Sequence, residues 1–581
     1  MSDRSLIVLK FGSSVLRSED DLPAAVHEIY RWVRNGRRVI AVVSALGKTT
    51  DSLLERAGRF GAAPNEEAVA ALVSTGEAVA AAELCLALDR AGIPACGLDA
   101  ARVGILTDGP VLDASPRSVS LNAIHSALAS FPVVVVAGFL GRSPQGGTTL
   151  LGRGGSDLTA LFLAQQLGAR CRLIKDVAGL YEWDPAEDGP PPSRFRTISW
   201  NEALTLTGRI VQHKAVQFAR DHNVSFEVTT LGQEEATVVG PDPLGYFPEK
   251  RYMRPLRIGL LGLGTVGYGV YQELTARPDL FDVAGVAVRN LVRPDGQRIP
   301  RHLLTNDVWS IFDREIEVLV EMIGGHEIPC ALIEAALRAG IHVITANKTV
   351  IANDGARLQK LARDNDVTLQ YSAAAGGAVP MIETARRLAV DSDAEIVALQ
   401  GVLNGTTNYI LDRLAHGASF DAALKEAQNC GFAEADPTHD LTGTYAACKL
   451  ILLAEAAFGV HLKLDEIERT GIDQIDAQAV TKACENGKAI RLVASLRKTP
   501  NGVIARVAPQ TLDAVHPLAR VRAERNGLEI EVAGQPPVFL TGKGAGRWPT
   551  TESVLADLFD LARSGSAHPP LLASLAVGRI A

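Results

Sequence analysis

The stretch that decides the fold is RIGLLGLGTVG, residues 257–267. An apolar strand pattern, RIGLL, runs into Gly262, Gly264 and Gly267, and a helical pattern follows. Glycines at this spacing permit a tight turn, close approach of the backbone to a pyrophosphate and close packing of the helix on the strand. The stretch therefore predicts a dinucleotide-binding unit, with Thr265 and Val266 also at the cofactor.

The end of the next strand indicates which dinucleotide binds. The strand FDVAGVAV ends at Arg289, and Arg293 follows four residues later. An acidic residue at this place would bind a ribose 2′-hydroxyl, whereas a guanidinium suits a 2′-phosphate. We therefore expect NADP(H) as the cofactor. The alternative is that both arginines are solvated loop charges.

Composition narrows the class of protein. A chain of 581 residues is too long for one hydrophobic core, and a net charge of −8 gives no basic footprint for nucleic acid. The seven cysteines are scattered, without a CxxC pair, which favours a reducing compartment and argues against a structural zinc site. Neither a signal-peptide core nor an uncharged apolar run of about 20 residues is apparent. We expect a cytoplasmic protein with small-molecule substrates and neither a nucleic-acid nor a membrane partner.

Strand-like and alanine-rich helical runs alternate along the chain, which is typical of α/β domains. The rhythm appears twice, before and after the polar, proline-bearing segment GPDPLGYFPEKRYMRP. We interpret this segment as a linker between two α/β regions. After residue 396 comes one more apolar strand, then a polar loop and a long apolar helix, which suggests a separate substrate-binding lobe.

Three segments of the second region carry clustered polar residues. They are ITANKTV, LNGTTNYIL and GFAEADPTHDLTGTYAACK. Together with GKGAGRWPTTESVLADL, they resemble the homoserine dehydrogenase family over residues 255–581. The resemblance implies NADPH-dependent interconversion of L-aspartate 4-semialdehyde and L-homoserine.

The resemblance also implies residue roles. The reaction delivers a hydride to an aldehyde carbon and a proton to its oxygen, and a lysine can supply that proton. Lys449 and Lys348 are the candidates, one as the acid and one orienting the substrate, and the sequence does not assign the two roles. The remaining candidates are substrate-binding Glu434, Asp440, Asn404 and Thr406, and cofactor-binding Asn347. For Asp440, helix capping is the alternative.

Two positions depart from the family pattern. Tyr445 stands where the family usually has an aspartate, one helical turn before Lys449, and we expect this change to lower the pKa of Lys449. Ser372 replaces an acidic residue near a backbone site for Na⁺ or K⁺. The carbonyls expected there belong to Ala375, Gly377 and Val379.

The first region resembles the amino acid kinase family, aspartate kinase in particular. The resemblance is carried by VLKFGSS, VVSALGKTTDSLL, STGEAVAA, LGRGGSDLTA and KDVAGLYEWDP. It implies phosphorylation of L-aspartate by ATP with Mg²⁺. The residues implied are Lys10 and the lysine-ordering Asp157 for catalysis, Glu77, Arg153, Thr50 and Ser44 for aspartate, and Gly12, Ser13, Ser156, Lys175, Asp176 and Tyr181 for the nucleotide.

The kinase-like region also departs from its family. The usual KFGGTS is KFGSSV, an arginine is replaced by Ala186, and AKVLHP becomes RIVQHK with loss of a lysine. Three interpretations stay open: a bifunctional enzyme, a homoserine dehydrogenase whose vestigial kinase-like domain serves binding or dimerisation, and a pair of domains that have drifted to a related amino acid.

The predicted fold class is an amino-acid-kinase-like α/β domain followed by a Rossmann domain and an α+β substrate-binding and dimerisation domain. The small regulatory domains usual in fused relatives have no room between the two halves. We expect aspartate, aspartate semialdehyde and homoserine as substrates and a homodimer or higher homo-oligomer. The predicted boundaries are 1–235 for the kinase-like domain, 236–254 for the linker, 255–388 for the Rossmann domain, 389–540 for the catalytic domain and 541–581 for a C-terminal segment returning to the Rossmann or dimerisation region.

Overall fold

The structure is a computed structural model that forms two compact units, Met1–Tyr252 and Met253–Ala581. Kinase-like and Rossmann patterns thus fall in separate units, each with its own hydrophobic core. The structure describes residues 6–61, 63–185, 187, 192–206, 210–248, 254–292, 298–391 and 395–564.

The first unit is built on a nine-stranded sheet in the order β13-β10-β12-β11-β9-β1-β2-β6-β3. Its central strands are parallel and wholly apolar in places, as in VVVVA of β6, because helices cover both faces. A second sheet has the order β5-β4-β7-β8. The strands are β1 Leu6–Phe11, β2 Arg38–Val43, β3 Ala95–Leu98, β4 Leu106–Asp108, β5 Ser115–Ser118, β6 Val133–Ala137, β7 Leu140–Arg142, β8 Thr148–Leu150, β9 Arg170–Lys175, β10 Phe195–Ser199, β11 Phe226–Thr230, β12 Thr237–Gly240 and β13 Gly245–Tyr246.

The predicted linker differs from the structure. β12 and β13 lie within residues 236–254 and both hydrogen-bond to β10, so this polar segment completes the kinase-like sheet. The reason is the buried pair formed by Thr237 and Val239, which the surrounding prolines and acidic residues obscure in the sequence. The first unit therefore extends to residue 252 rather than 235.

One helix of the first unit, α3, is long and apolar enough to cross a membrane by its length and composition alone. It packs against β3, β6 and β8, as a core helix does. The helices are α1 Leu22–Arg34, α2 Thr49–Gly58, α3 Glu66–Arg90, α4 Ala100–Val103, α5 Asn122–Ser130, α6 Gly155–Leu167, α7 Trp200–Thr205 and α8 His213–Asp221.

The second unit begins with a six-stranded parallel sheet in the order β16-β15-β14-β17-β18-β19. The strand order reverses between β14 and β17, and ligands of such sheets bind in the crevice at this switch point. The strands are β14 Leu256–Leu261, β15 Phe281–Ala287, β16 Leu304–Thr305, β17 Val318–Glu321, β18 His342–Thr345 and β19 Leu369–Gln370, with helices α9 Thr265–Thr275, α10 Glu327–Arg338, α11 Lys348–Asp364, α12 Ser372–Ala375 and α13 Met381–Val390.

The other sheet of the second unit, with the order β21-β23-β22-β20-β24-β25, is antiparallel except for the pairing of β21 with β23. The last helix, α19, packs on α9 of the Rossmann sheet. The elements are β20 Ile396–Val402, β21 Glu468–Arg469, β22 Lys488–Thr499, β23 Gly502–Asp513, β24 Arg525–Val532 and β25 Val538–Lys543, with helices α14 Gly405–Ala415, α15 Phe420–Asn429, α16 Thr438–Leu441, α17 Thr444–Phe458, α18 Ala477–Glu485 and α19 Arg547–Ser564.

Candidate active sites

The glycine turn after β14 has the geometry of a dinucleotide-binding loop. Gly262 adopts φ +95°, a conformation that side chains rarely tolerate, and a Cβ there would lie 3.0 Å from the Met322 carbonyl oxygen. A Cβ on Gly267 would lie 2.3 Å from the Gly262 carbonyl oxygen. Gly264 has open space around its Cα and precedes α9, so it leaves room for a phosphate at the helix N-terminus. Thr265 and Val266 form the first turn of α9.

Asn347 connects two loops at the same edge of the sheet. Its side chain accepts hydrogen bonds from the backbone N–H groups of Thr349 and Val350, at 3.1 and 3.2 Å, and so caps α11. Its amide nitrogen donates to the carbonyls of Ile323 and Gly325, at 3.1 and 2.9 Å. This predicted cofactor residue thus fixes the loop after β17 beside the glycine turn.

Glu321, which the sequence reasoning missed, lies at the end of β17 and is fully buried. Its carboxyl accepts from the Thr345 hydroxyl at 2.5 Å and from the Ile323 backbone N–H at 2.8 Å. Burial raises the pKa of Glu321 to about 7. A charged residue closing the apolar run VLVE was the available signal, and its role is to hold the loop that Asn347 also binds.

Lys449 is buried on α17, and its ammonium nitrogen donates to the carbonyl of Leu403 at 2.9 Å. The pKa of Lys449 is lowered to about 7, mainly by burial and in addition by the positive charge of Lys348, while the negative charge of Asp440 acts in the opposite direction. A lysine with this pKa can give and take a proton near neutral pH.

Tyr445, which stands where the family usually has an aspartate, contacts Lys348 rather than Lys449. The ammonium nitrogen of Lys348, the first residue of α11, lies 3.9 Å from the centroid of the Tyr445 ring, a cation–π contact. The lowered pKa of Lys449 agrees in direction with the expectation, but its causes are burial and Lys348. Tyr445 therefore serves as a support for Lys348.

Three of the substrate-binding candidates make hydrogen bonds within the protein, and the fourth is exposed. Asn404 caps α14 and donates from its amide nitrogen to the buried Asp440 carboxylate at 2.5 Å, so Asp440 is a partner of Asn404 rather than a helix cap. Thr406 donates to the carbonyl of Phe432 at 2.6 Å, which ties α14 to the loop that precedes α16. Glu434 is exposed on that loop.

Of the two predicted 2′-phosphate ligands, Arg289 is exposed two residues after β15, at the sheet edge that carries the glycine turn. Its neighbour Val288 is anchored by donating its N–H to the Thr305 carbonyl at 2.8 Å. Arg293 lies outside the described residues.

In the loop predicted to bind Na⁺ or K⁺, a carboxylate from another part of the chain lies beside Ser372. Ser372 donates its hydroxyl to Asp557 of α19 at 2.9 Å, and its backbone N–H also reaches this carboxylate, at 3.3 Å. Ala375 and Val379 are buried, but the Val379 carbonyl already accepts from the Met381 N–H at 2.7 Å. The loop thus has an acidic group despite the departure at Ser372, and α19 supplies it from 185 residues later in the sequence.

In the first unit, two buried lysines share one buried carboxylate. The ammonium nitrogens of Lys10 and Lys175 lie 2.8 and 2.7 Å from the two oxygens of Asp157. The two lysines hold the pKa of Asp157 at about 2, so the carboxylate stays ionised. Two ammonium groups and one carboxylate leave a net positive charge at the end of β1 and β9.

Glu77 of α3 lies close to this cluster. Its carboxyl accepts from the Ala45 backbone N–H at 3.0 Å and hydrogen-bonds to the Thr50 side chain. Burial raises the pKa of Glu77 to about 7, although Lys10 favours its ionised form. Ser44 follows β2 and donates its N–H to the Phe11 carbonyl at 3.1 Å.

Two turns supply backbone N–H groups near the lysines. A Cβ on Gly12 would lie 2.7 Å from the Lys10 ammonium nitrogen, so glycine makes room for that side chain. Ser13 is exposed in this turn, and the buried Ser156 lies in the first turn of α6. Arg153 is exposed just before α6.

The last two nucleotide candidates lie beyond β9. Asp176 is exposed directly after the strand, and Tyr181 forms a β-bridge with Arg194.

Lys214 offers a lysine where the usual one is lost. It stands at the end of RIVQHK, and its ammonium nitrogen donates to Asp113 at 2.6 Å and to the carbonyls of Ala114 and Leu151, both at 2.9 Å. These contacts hold the residues before the Gly154 turn. Ala186, the other departure of this kind, lies outside the described residues.

Three family models match the chain in order. The amino acid kinase family covers residues 5–229, the NAD-binding domain of homoserine dehydrogenase covers residues 262–372, and the homoserine dehydrogenase domain covers residues 380–559. This order is that of a kinase fused to a dehydrogenase.

Curated relatives agree over the second unit. A homoserine dehydrogenase of Corynebacterium glutamicum is 38% identical over 53% of this chain and 72% of its own length, and one of Synechocystis sp. is 37% identical over 53% and 73%. A homoserine dehydrogenase structure from Thiobacillus denitrificans has a TM-score of 0.50 and 36% identity over 55% of this chain and 75% of that one. The chain belongs to the homoserine dehydrogenase family and carries an additional domain of the amino acid kinase family.

Proposed function

We propose that the second unit interconverts L-aspartate 4-semialdehyde and L-homoserine with NADP(H), and that the first unit phosphorylates L-aspartate with ATP. The observation that carries the dehydrogenase proposal is Lys449, which is buried in the second turn of the apolar helix α17 with a pKa of about 7. Its neighbours Lys348 and Asp440 supply one charge of each sign beside it.

In the reduction, Lys449 in its ammonium form donates a proton to the carbonyl oxygen as negative charge develops there. In the reverse direction, the neutral amine takes the proton from the hydroxyl group. Lys348, which lies over the Tyr445 ring, orients the substrate carboxylate. The dinucleotide, when bound, supplies or accepts the hydride.

Asp440 is the group that suits the ammonium of the substrate. It is buried and fixed by Asn404 at 2.5 Å, so it is positioned before the substrate arrives. Glu434 is exposed on the preceding loop and would reach the substrate from the solvent side.

Selectivity for the 2′-phosphate is assigned to Arg289. We expect Arg289→Ala to lower kcat/KM for NADP⁺ about tenfold and to leave that for NAD⁺ unchanged, because an exposed charged contact to phosphate is lost. Arg301→Ala, at another exposed arginine of the Rossmann domain, is the matched control. Equal loss with both cofactors would contradict the assignment.

The kinase proposal rests on the Lys10–Asp157–Lys175 cluster. Phosphoryl transfer requires positive charge around the transferred group, and Asp157 orders two lysines while leaving net positive charge. Backbone N–H groups of Gly12, Ser13 and the α6 N-terminus would bind the phosphates of Mg²⁺-bound ATP.

One pair of assays on the purified full chain tests both proposals. Aspartate-dependent ATP consumption is measured with hydroxylamine as the trap, beside NADP⁺-dependent oxidation of homoserine. We expect both reactions. Oxidation of homoserine alone would reduce the first unit to a binding or dimerisation module, and failure with homoserine but activity with another amino-alcohol in a substrate screen would show that the specificity has drifted.

Two further proposals concern the protein as a whole. We propose a homodimer or higher homo-oligomer, which light scattering of the full chain tests, and a cytoplasmic location, which the scattered free cysteines favour.

A further inference from the structure

A cluster of metal-ligating side chains lies between α10 and α11, outside the residues used above. It consists of His326, Cys330 and Asp354, whose ligand atoms all lie within 4.8 Å of one another. The His326 Nε2 atom is 2.7 Å from an Asp354 carboxylate oxygen. Imidazole, thiol and carboxylate together form the mixed set of nitrogen, sulfur and oxygen donors that zinc-class ions accept.

The helices bring the three donors together from separate parts of the chain. His326 is the residue just before α10, and Cys330 lies within α10, four residues after His326. The two side chains therefore lie on the same side of the helix. Asp354 comes from α11, which packs against α10. The predicted absence of a zinc site rested on missing cysteine pairs, and a site with one cysteine and ligands from two helices leaves no such pattern.

The exposure of the cluster suits an ion that enters from solvent. Cys330 is 8% exposed, whereas the side chains of His326 and Asp354 are 40% and 22% exposed. The ion would thus have its sulfur ligand on the protein side and space for a water molecule on the other side. Three protein ligands and one water are sufficient for tetrahedral coordination.

An outer layer of hydrogen bonds already orients two of the donors. Arg357 donates to the Cys330 sulfur at 3.4 Å and to Asp354 at 3.1 Å, and it is itself held by Glu334 at 2.6 Å. The guanidinium therefore contacts both the sulfur and the carboxylate of the cluster. Partners of this kind fix ligand geometry in metal sites.

We propose that His326, Cys330 and Asp354 bind a thiophilic divalent cation of the zinc class, with water as the fourth ligand. Binding replaces the proton of the Cys330 thiol, which is released to solvent, and forms a metal–thiolate bond with no change of oxidation state. Mg²⁺ and Ca²⁺, which prefer oxygen ligands, do not fit this donor set. The cation would join the beginning of α10 to the middle of α11.

Cobalt(II) is the probe, because a cobalt–thiolate bond gives a charge-transfer absorption band in the near ultraviolet. The purified full chain is titrated with CoCl₂ in a buffer that contains a non-chelating phosphine reductant to keep the thiols reduced. We expect one such band per chain, its loss in Cys330→Ser, and its bleaching by stoichiometric ZnCl₂. Cys430→Ser and Cys484→Ser, which alter the exposed cysteines, are matched controls that should keep the band.

The other two ligands give independent tests. We expect His326→Gln and Asp354→Asn each to weaken cobalt binding roughly tenfold or more while dehydrogenase activity without added metal is unchanged. Circular dichroism verifies the fold of each variant. A wild-type chain without the band, a band that persists in Cys330→Ser, or unchanged affinity in His326→Gln would overturn the proposal.

Discussion

The two units each contain a pair of lysines close together in a buried site, and the pairs differ in what neutralises them. Lys10 and Lys175 share the Asp157 carboxylate at 2.8 and 2.7 Å. Lys449 instead donates to a neutral carbonyl, and Lys348 lies on an aromatic ring. The first pair is held by charge and the second by dipoles and a π-system.

This difference matches the chemistry of each site. Phosphoryl transfer uses lysines as fixed positive charges, and a shared carboxylate orders them. Carbonyl reduction uses a lysine that exchanges its proton, and burial beside a second cation brings the pKa of Lys449 to about 7. The partner of a buried lysine thus decides whether it acts as a charge or as an acid.

The largest effect is expected where the proton is exchanged. Lys449→Met removes the proton donor, and we expect kcat for NADP⁺-dependent homoserine oxidation to fall about 10²- to 10⁴-fold. The ATP-consuming reaction should be unchanged, because Lys449 belongs to the second unit. Lys425→Met, at an exposed lysine of the same unit, is the control. A loss of less than about tenfold would place the proton donor elsewhere, with Lys348→Met as the next variant.

Removing the shared carboxylate should affect the first pair strongly. Asp157→Asn leaves two buried ammonium groups uncompensated, and we expect about 3–5 kcal/mol less stability of the first unit, together with loss of aspartate-dependent ATP consumption. Chemical unfolding followed by tryptophan fluorescence and the hydroxamate assay measure the two effects. Asp51→Asn, at an exposed position of α2, is the control. Normal kinase activity in Asp157→Asn would mean that the two lysines need no common anion.

The third prediction concerns a variant in which Lys348 and Lys449 gain a carboxylate neighbour, as Lys10 and Lys175 have in Asp157. Homoserine oxidation needs the neutral amine of Lys449, so its rate should rise with pH through the pKa of about 7, and semialdehyde reduction should fall over the same range. Tyr445→Asp places a carboxylate beside the lysines, favours their charged forms and should move both limbs upward by about one pH unit.

Tyr445→Phe separates charge from packing. It retains the ring under Lys348 without the hydroxyl, so we expect the wild-type pH profile. If Tyr445→Asp also keeps the wild-type profile, the ring position does not control the proton of Lys449, and burial alone sets its pKa.

The sequence predicted the glycine turn because its signal is local, whereas both lysine pairs were implied by the family resemblances. A strand, three glycines and a helix start lie within eleven residues, and Lys10 and Lys175 lie close to the ends of two apolar strands. The family resemblance placed Asp157 between them. A strand, turn and helix start of this kind are formed by residues close together in the sequence, so their spacing is enough to predict them.

Contacts between distant segments could not be predicted in this way. Asp557 reaches Ser372 only because α19 returns to the Rossmann sheet, and Tyr445 meets Lys348 only because α17 packs on α11. The sequence placed Tyr445 one turn from Lys449 and so suggested the wrong neighbour. The helical turn gave a correct distance along one helix, but the ring's partner is set by tertiary packing.

Lys214 is an intermediate case between the two pairs and gives the smallest expected effect. Its ammonium binds one carboxylate, Asp113, and two neutral carbonyls, and the Asp113 side chain is largely exposed. An ion pair of this kind contributes roughly 1 kcal/mol. If Lys214 provides charge to the nucleotide site, Lys214→Met should raise the KM for ATP about fivefold with little change in kcat, and Lys214→Arg should restore most of the loss.

If Lys214 instead only holds the turn before Gly154, the arginine variant should fail as well, because a planar guanidinium cannot reproduce three contacts made around a compact ammonium group. The KM for ATP in the two variants therefore distinguishes an electrostatic role of Lys214 at the nucleotide site from a structural role at the turn. Equal, unchanged KM values in both would show that the lysine lost from the family pattern has no substitute here, and that the charge of this kinase site comes from the Lys10–Asp157–Lys175 cluster alone.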